Sequence, residues 1–350
     1  MFLPYFGRLS DKKGRKPLIV TGLFAYAIIS FVFLGSHSVE ELIFLRFIQG
    51  ISSAMILPVV QAYVGDITPP GREGFTMGMF NMSLFFGLSI GPLAGGVIQD
   101  RFSLNAAFVC MGGLSLVGFF LSYIMLPSPK TEKAISKGTA PIAWRRLLAD
   151  KELAGLFLFR FAYTSGIGII WGFVPVLAVS EFSTSSSAVG VLMMLGIFIS
   201  GLIHTPMGYL ADHVNRKMMI IVGGLLTTYS IFSYTSASGY SDLLYASIFF
   251  GLGGGISMPA MMAMAVQKGS QTGSMGSVMA FITVAHSLGM MGGSILAGLM
   301  MDLFALRDAF SMGAIIMICG TVSFVGCSYA SRQEAGNLSG QSDRTNLTQT

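Results

Sequence analysis

Charge is what this sequence has least of. Asp, Glu, Lys and Arg make up 11% of its 350 residues, against roughly a quarter in soluble domains. So little polar surface excludes a soluble fold of this size, and a hydrophobic share of 53% makes an integral membrane protein the default. Cysteine is scarce as well. Cys110, Cys319 and Cys327 all fall inside apolar runs without metal-ligand spacing, so they read as free thiols in lipid or packing positions, with no metal site. A nucleophile–base pair, a phosphate-binding loop and a metal cluster are all missing, so no enzyme and no cofactor are expected. The net charge of +5 gives no nucleic-acid surface, because the basic residues sit in short loops between apolar runs.

What is present is length without charge. A membrane-spanning helix takes about 20 apolar residues. The stretches 17–35, 41–64, 75–98, 104–126, 153–179, 188–210, 218–237, 243–266, 275–300 and 308–330 each supply them. Met1 to Phe6 is apolar too, but it ends at a basic segment, GRLSDKKGRK, over 7–16. Six residues cross about 9 Å, less than a third of a hydrocarbon core. If the 7–16 loop is cytoplasmic, alternate loops share that side. They then hold every Lys and Arg except Arg101 and Arg307 on the far side and Arg46 and Arg160 within spans. That bias sets the orientation and puts the C-terminus in the cytoplasm.

The chain repeats itself. GRLSDKKGRK at 7–16 returns as GYLADHVNRK at 208–217, an offset of 201, and Gly50 and Pro58 return as Gly251 and Pro259. GLSIGPLAGGVIQD at 87–100 returns as GMMGGSILAGLMMD at 289–302, and Ala107-Phe108 as Ala309-Phe310. Between the repeats lies a polar linker. The expected domains are an N-terminal bundle over 1–126 (a remnant of span two, then spans three to six) and a cytoplasmic linker over 127–152. A C-terminal bundle over 153–330 (spans seven to twelve) and a polar cytoplasmic tail over 331–350 follow. Two homologous membrane halves suit a transporter with its site at the repeat interface. The segment 153–179 has no counterpart in the first half, so an N-terminal truncation of roughly fifty residues is expected.

Gly7-x-x-x-Asp11-x-x-Gly14-Arg15-Lys16, Arg46-x-x-Gln49-Gly50 and Gly87-x-x-x-Gly91-Pro92-x-x-Gly95-Gly96 together resemble the loop, fourth-span and fifth-span motifs of the major facilitator superfamily. Within that superfamily the chain resembles the twelve-span drug:proton antiporters. The resemblance implies an all-α membrane protein with the major facilitator fold, two pseudo-symmetric helical bundles, here about ten full spans plus a remnant. It implies that Asp11 faces the N-terminus of the eleventh span, near Thr272 to Ser274, and that Arg15 reaches Asp66. The second copy, Gly208, Asp212, Arg216 and Lys217, would do the same against the fifth span near Glu73. Together these groups would form a latch on the cytoplasmic side.

Other polar residues leave alternatives open. Arg46 heads a stripe with Gln49, Gly50 and Ser53 and either couples protons, as the resemblance implies, or snorkels to the surface; the resemblance also implies that Gln49 and Ser53, with Arg160, Tyr163 and Trp171, line the substrate cavity. Arg160, with Tyr163, Thr164 and Trp171 at helical spacing, either holds an anionic group on a substrate or anchors an interface. His286 is a packing histidine or a proton carrier. The run Gly87, Gly91, Pro92, Gly95 and Gly96 allows close helix packing, and the resemblance makes it an exporter's seal. None of the 16 acidic residues lies in the middle of a span. Methionines clustered at 258–291 suit a pocket accepting many shapes.

The expectation is a proton-coupled exporter of small amphipathic organic compounds, multi-pass in the cell membrane and monomeric. Its partners are the substrate, protons and the bilayer. A metabolite symporter or uniporter of the same superfamily and an inactive truncated remnant are the alternatives.

Overall fold

The computed structural model of the chain describes residues 2–36, 38–127, 147 and 149–347. Among them the fold is entirely helical. In chain order the helices are α1 (Leu3–Lys13), α2 (Arg15–Val32, closed by a short 3-10 turn, Phe33–Gly35), α3 (Val39–Ile67) and α4 (Glu73–Arg101). Then come α5 (Leu104–Met125), α6 (Lys151–Phe182), α7 (Ser186–His213), α8 (Arg216–Ser233), α9 (Tyr240–Thr272), α10 (Met275–Leu303) and α11 (Leu306–Leu347).

The starts are set by short polar side chains. Ser38 and Glu41 close a capping box on α3, and the Ser103 hydroxyl accepts from Ala106 N at 3.1 Å to open α5. Asp150 accepts from Glu152 N at 2.9 Å and Leu153 N at 3.1 Å to open α6. Each such cap stabilises its helix by about 1 kcal/mol. Between α1 and α2 the chain turns at Gly14, whose φ of 94° is open to glycine and costly for other residues.

Among the described residues nine helices are long and apolar enough to cross a membrane. The expected span 218–237 is helical as α8, which has only 18 residues and begins with Arg216 and Lys217, so it falls outside that group. Two boundaries differ from the sequence reading. The basic segment 7–16 is mostly helix rather than loop, because nothing breaks α1 before Gly14 and Lys12 and Lys13 in its last turn favour its negative end. The polar tail from 331 continues α11 as far as Leu347. The linker, 127–152, lies mostly outside the described residues.

The chain forms two compact units. The first comprises 1–142, 201–214 and 262–284; the second comprises 143–200, 215–261 and 285–350. In the first, α2 packs on α3 and α5, and α1 lies against α3. Its core joins Phe6, Leu18, Ile19, Ala54 and Val59, and Phe33 stacks on Phe108 at 5.0 Å. In the second, α11 packs on α6 and α8, burying Phe159 against Phe324 and Tyr234 against Phe310. Apolar side chains also point outward. On α5, Leu114 is 73% and Ile124 75% exposed, a greasy face that lipid rather than water would cover.

Candidate functional site

Asp11 lies in the last turn of α1, and its carboxylate sits on the first turn of α10. Oδ1 accepts from Gly276 N at 2.8 Å; Oδ2 accepts from Ser277 N at 2.8 Å and Ser277 Oγ at 2.6 Å. A helix start carries unsatisfied N–H groups and about half a positive charge, so an anion there is stabilised by up to ~2 kcal/mol. Arg15, buried at the start of α2, draws the cluster together. Its Nη1 pairs with Asp11 Oδ1 at 2.8 Å and donates to Ser10 Oγ at 2.5 Å, while its Nε donates to Asp66 Oδ2 at 2.9 Å. Removing one partner of so buried a network costs ~3–5 kcal/mol.

The helices can come this close because their crossing is made of glycine. A Cβ on Gly7 would strike Ala280 and the Gly276 carbonyl, and one on Gly276 would strike Ser10 and Arg15.

The second repeat builds the same device in reverse. Asp212, near the end of α7, accepts from Gly74 N at 2.7 Å and Phe75 N at 2.8 Å, in the first turn of α4. Gly208 and Gly74 meet backbone to backbone, and neither leaves room for a Cβ. Each repeat therefore supplies the anion that completes a helix start in the other, and all these groups belong to the first unit. Of the other expected latch residues, Lys16 donates to Leu126 O at 2.7 Å. Lys217 lies 3.5 Å from Glu152, and Arg216 opens α8. Ser10 and Ser277 are contributors that sequence reasoning missed. The 202-residue offset that takes Gly74 to Gly276 could have found Ser277, as the partner of Phe75.

Next to this cluster the first unit holds a cavity of about 460 Å³ lined by Asp66, Glu73 and by Gln267, Gly269, Ser270 and Gln271 of α9, with Gly273 and Met275 beside them.

On α3, Arg46 Nη1 donates to Gln49 Oε1 at 2.9 Å, and its guanidinium lies 5.2 Å over the Phe33 ring. Gln49 is buried. Ser53 is exposed, unlike its neighbour Ser52.

In the second unit Arg160 of α6 donates through Nη1 to Met258 Sδ and through Nη2 to His286 Nδ1 at 3.3 Å. Tyr163, one turn on, is buried and stacked on Phe250 at 5.5 Å. Trp171 is 39% exposed further along the same helix. The two fifth-span-type motifs meet different surroundings. Gly289 and Gly293 of α10 press on Phe161, Thr164 and Ser165 of α6, whereas Gly87, Gly91 and Gly95 of α4 have nothing within 4 Å of where a Cβ would stand. Pro92 and Gly96 are helical, and their side-chain surroundings lie outside what the structure describes.

Apolar helices of spanning length, with ion pairs at their ends and a small polar cluster within, make up an α-helical membrane transporter. Comparison with known proteins gives the class its name. The model of the Major Facilitator Superfamily matches residues 1–165 and 156–347, and the chain belongs to that family. It is similar to an uncharacterised MFS-type transporter, MJ1560, of Methanocaldococcus jannaschii, at 25% identity over 91% of this chain and 83% of that one. It is also similar to Multidrug resistance protein 2 of Bacillus subtilis, at 28% identity over 91% of this chain and 80% of the relative. Among solved structures, the human organic anion transporter MFSD10 (TETRAN) shares the fold. The TM-score is 0.80 at 18% identity, covering 92% of this chain and 80% of that one.

Proposed function

We propose that this transporter is a proton-coupled exporter of small amphipathic organic compounds, working by alternating access in the cell membrane. The observation that carries the reading is the pair of reciprocal caps, Asp11 on α10 and Asp212 on α4. A carboxylate held by backbone N–H groups, with no covalent tie, is a contact that can be made in one state and released in another. The residues of the two repeats, 1–126 and 153–330, are the moving bundles of this reading, and the caps with Arg15 and Asp66 hold one end closed. In this reading the basic ends of α1 and α8 face the cytoplasm, and the C-terminus lies on the same side. The chain works as a monomer.

Export is supported by the multidrug-resistance name of the Bacillus subtilis relative, while Gly87, Gly91 and Gly95 pack against nothing among the described residues that would make them the expected seal. For proton coupling, the groups at hand are Arg46 with its Gln49 partner and His286. A guanidinium has only donors, so His286 Nδ1 serves as the acceptor from Arg160 and carries no proton in this arrangement. Proton uptake at that nitrogen would set two donors face to face and break the contact.

The test uses everted membrane vesicles carrying the chain and a pH-sensitive dye. Adding a transported amphipathic compound to vesicles with an imposed proton gradient should release protons, and Arg46→Ala should abolish that release while substrate still binds. Proton flux that is indifferent to every compound tried would dismiss coupled export, and an unchanged pH dependence in Arg46→Ala would return Arg46 to a surface-seeking role.

A further inference from the structure

Arg160 is a deeply placed cation that no carboxylate among the described residues answers. It stands nine residues beyond Lys151, the start of α6, about 14 Å along the axis at 1.5 Å per residue. His286 lies eleven residues into α10, about 17 Å from its start. Met258 is fourteen residues before the end of α9, about 21 Å from it. In the proposed topology those three helix ends share one side of a hydrocarbon core about 30 Å thick, so the cluster lies near its middle.

The guanidinium offers five N–H donors, yet its partners are a thioether and a neutral ring nitrogen. Its Nε is buried with no partner among the described residues. Two other arginines, Arg15 and Arg307, show what a settled one looks like. Arg15 meets two carboxylates, and Arg307 meets Glu181 together with the carbonyls of Thr235 and Ala237. A cation so deep costs several kcal/mol unless an anion joins it.

Tyr163 and Trp171 share the helix face of Arg160 at spacings of three and eleven residues, Tyr163 with Phe250 stacked behind it, and Trp171 with more than a third of its surface open. We infer that Arg160 binds the carboxylate or sulfonate of an anionic amphipathic substrate, whose apolar body lies toward the half-open Trp171. Met258 and His286 are weak neutral acceptors that hold the guanidinium fork in place and give way to the stronger anion. This inference rests on the transport reading and narrows it to anions.

Binding is measured on the purified full chain with a matched pair of probes, tritiated 1-naphthylacetate and the same ring bearing a trimethylammonium group. The expected result is at least tenfold tighter binding of the carboxylate. Arg160→Gln should lose that preference, and Arg160→Lys, which keeps the charge without the fork, should keep part of it. Equal carboxylate binding by Arg160→Gln, a wild-type preference for the cation, or binding of neither probe would overturn the inference. Should Arg160→Gln fail to fold, the wild-type unfolding midpoint decides: it should rise with naphthylacetate and not with the cation, and the reverse overturns the inference. In nanodiscs, naphthylacetate affinity should not change as phosphatidylglycerol is added; a fall would assign Arg160 to a lipid headgroup instead. A chain that exchanges the cation for protons and ignores naphthylacetate keeps the transport reading and loses this one.

Discussion

Asp11 gives one oxygen to Gly276 N and the other to Ser277 N, and it meets Arg15 from behind. Asparagine at that position would keep one acceptor and turn an amide donor toward another donor, so at least one charge-assisted bond is lost, worth ~1.5–3 kcal/mol. Asp11→Asn should therefore insert into the membrane at wild-type yield, melt earlier, and export at about a tenth of the wild-type rate or less. Wild-type melting and turnover would remove Asp11 from the mechanism. The spacing Gly7-x-x-x-Asp11 was legible because it repeats at 208–212 and because a glycine one turn before an acid has no use in a plain surface loop. Ser10 was not legible: a hydroxyl that donates to the carbonyl three residues back, as Ser10 does to Gly7, leaves no mark in the pattern. The bond from Arg160 to Met258 was hidden for another reason, since 98 residues separate them and a thioether among many methionines carries no signal of its own.

Helices of this chain meet closely wherever glycine lets them. Gly293 of α10 rests on the backbone of Ser165, while its counterpart on α4, Gly91, has open space at the same position. Gly293→Ala should cost about 1–3 kcal/mol through the displaced backbone, whereas Gly91→Ala should be neutral or stabilise by up to about 1 kcal/mol through helix propensity. Thermal unfolding of the two variants in detergent checks this, and equal losses would contradict the assigned packing. At this scale the sequence spoke clearly through apolar length, which placed every major helix. It said less about ends. The continuation of α1 to Lys13 and of α11 to Leu347 came from stretches that are polar but hold no proline, and polarity alone does not stop a helix.

Across the whole molecule, the caps at Asp11 and Asp212 sit on the starts of different helices, α10 and α4. Their effects on stability should add within about 0.5 kcal/mol in the double variant Asp11→Asn/Asp212→Asn. Transport should behave otherwise: if both caps close one end, either loss alone already spoils the closed state, and the second adds little. Melting curves and efflux rates on the same four proteins separate the two outcomes, and additive losses of rate would mean that the caps serve stability alone. The swapped placement of these two acids has a further consequence. Each tandem copy leaves a raw helix beginning that its sibling must finish, so a gene split between the copies would yield two pieces that neither mature nor persist until they find each other.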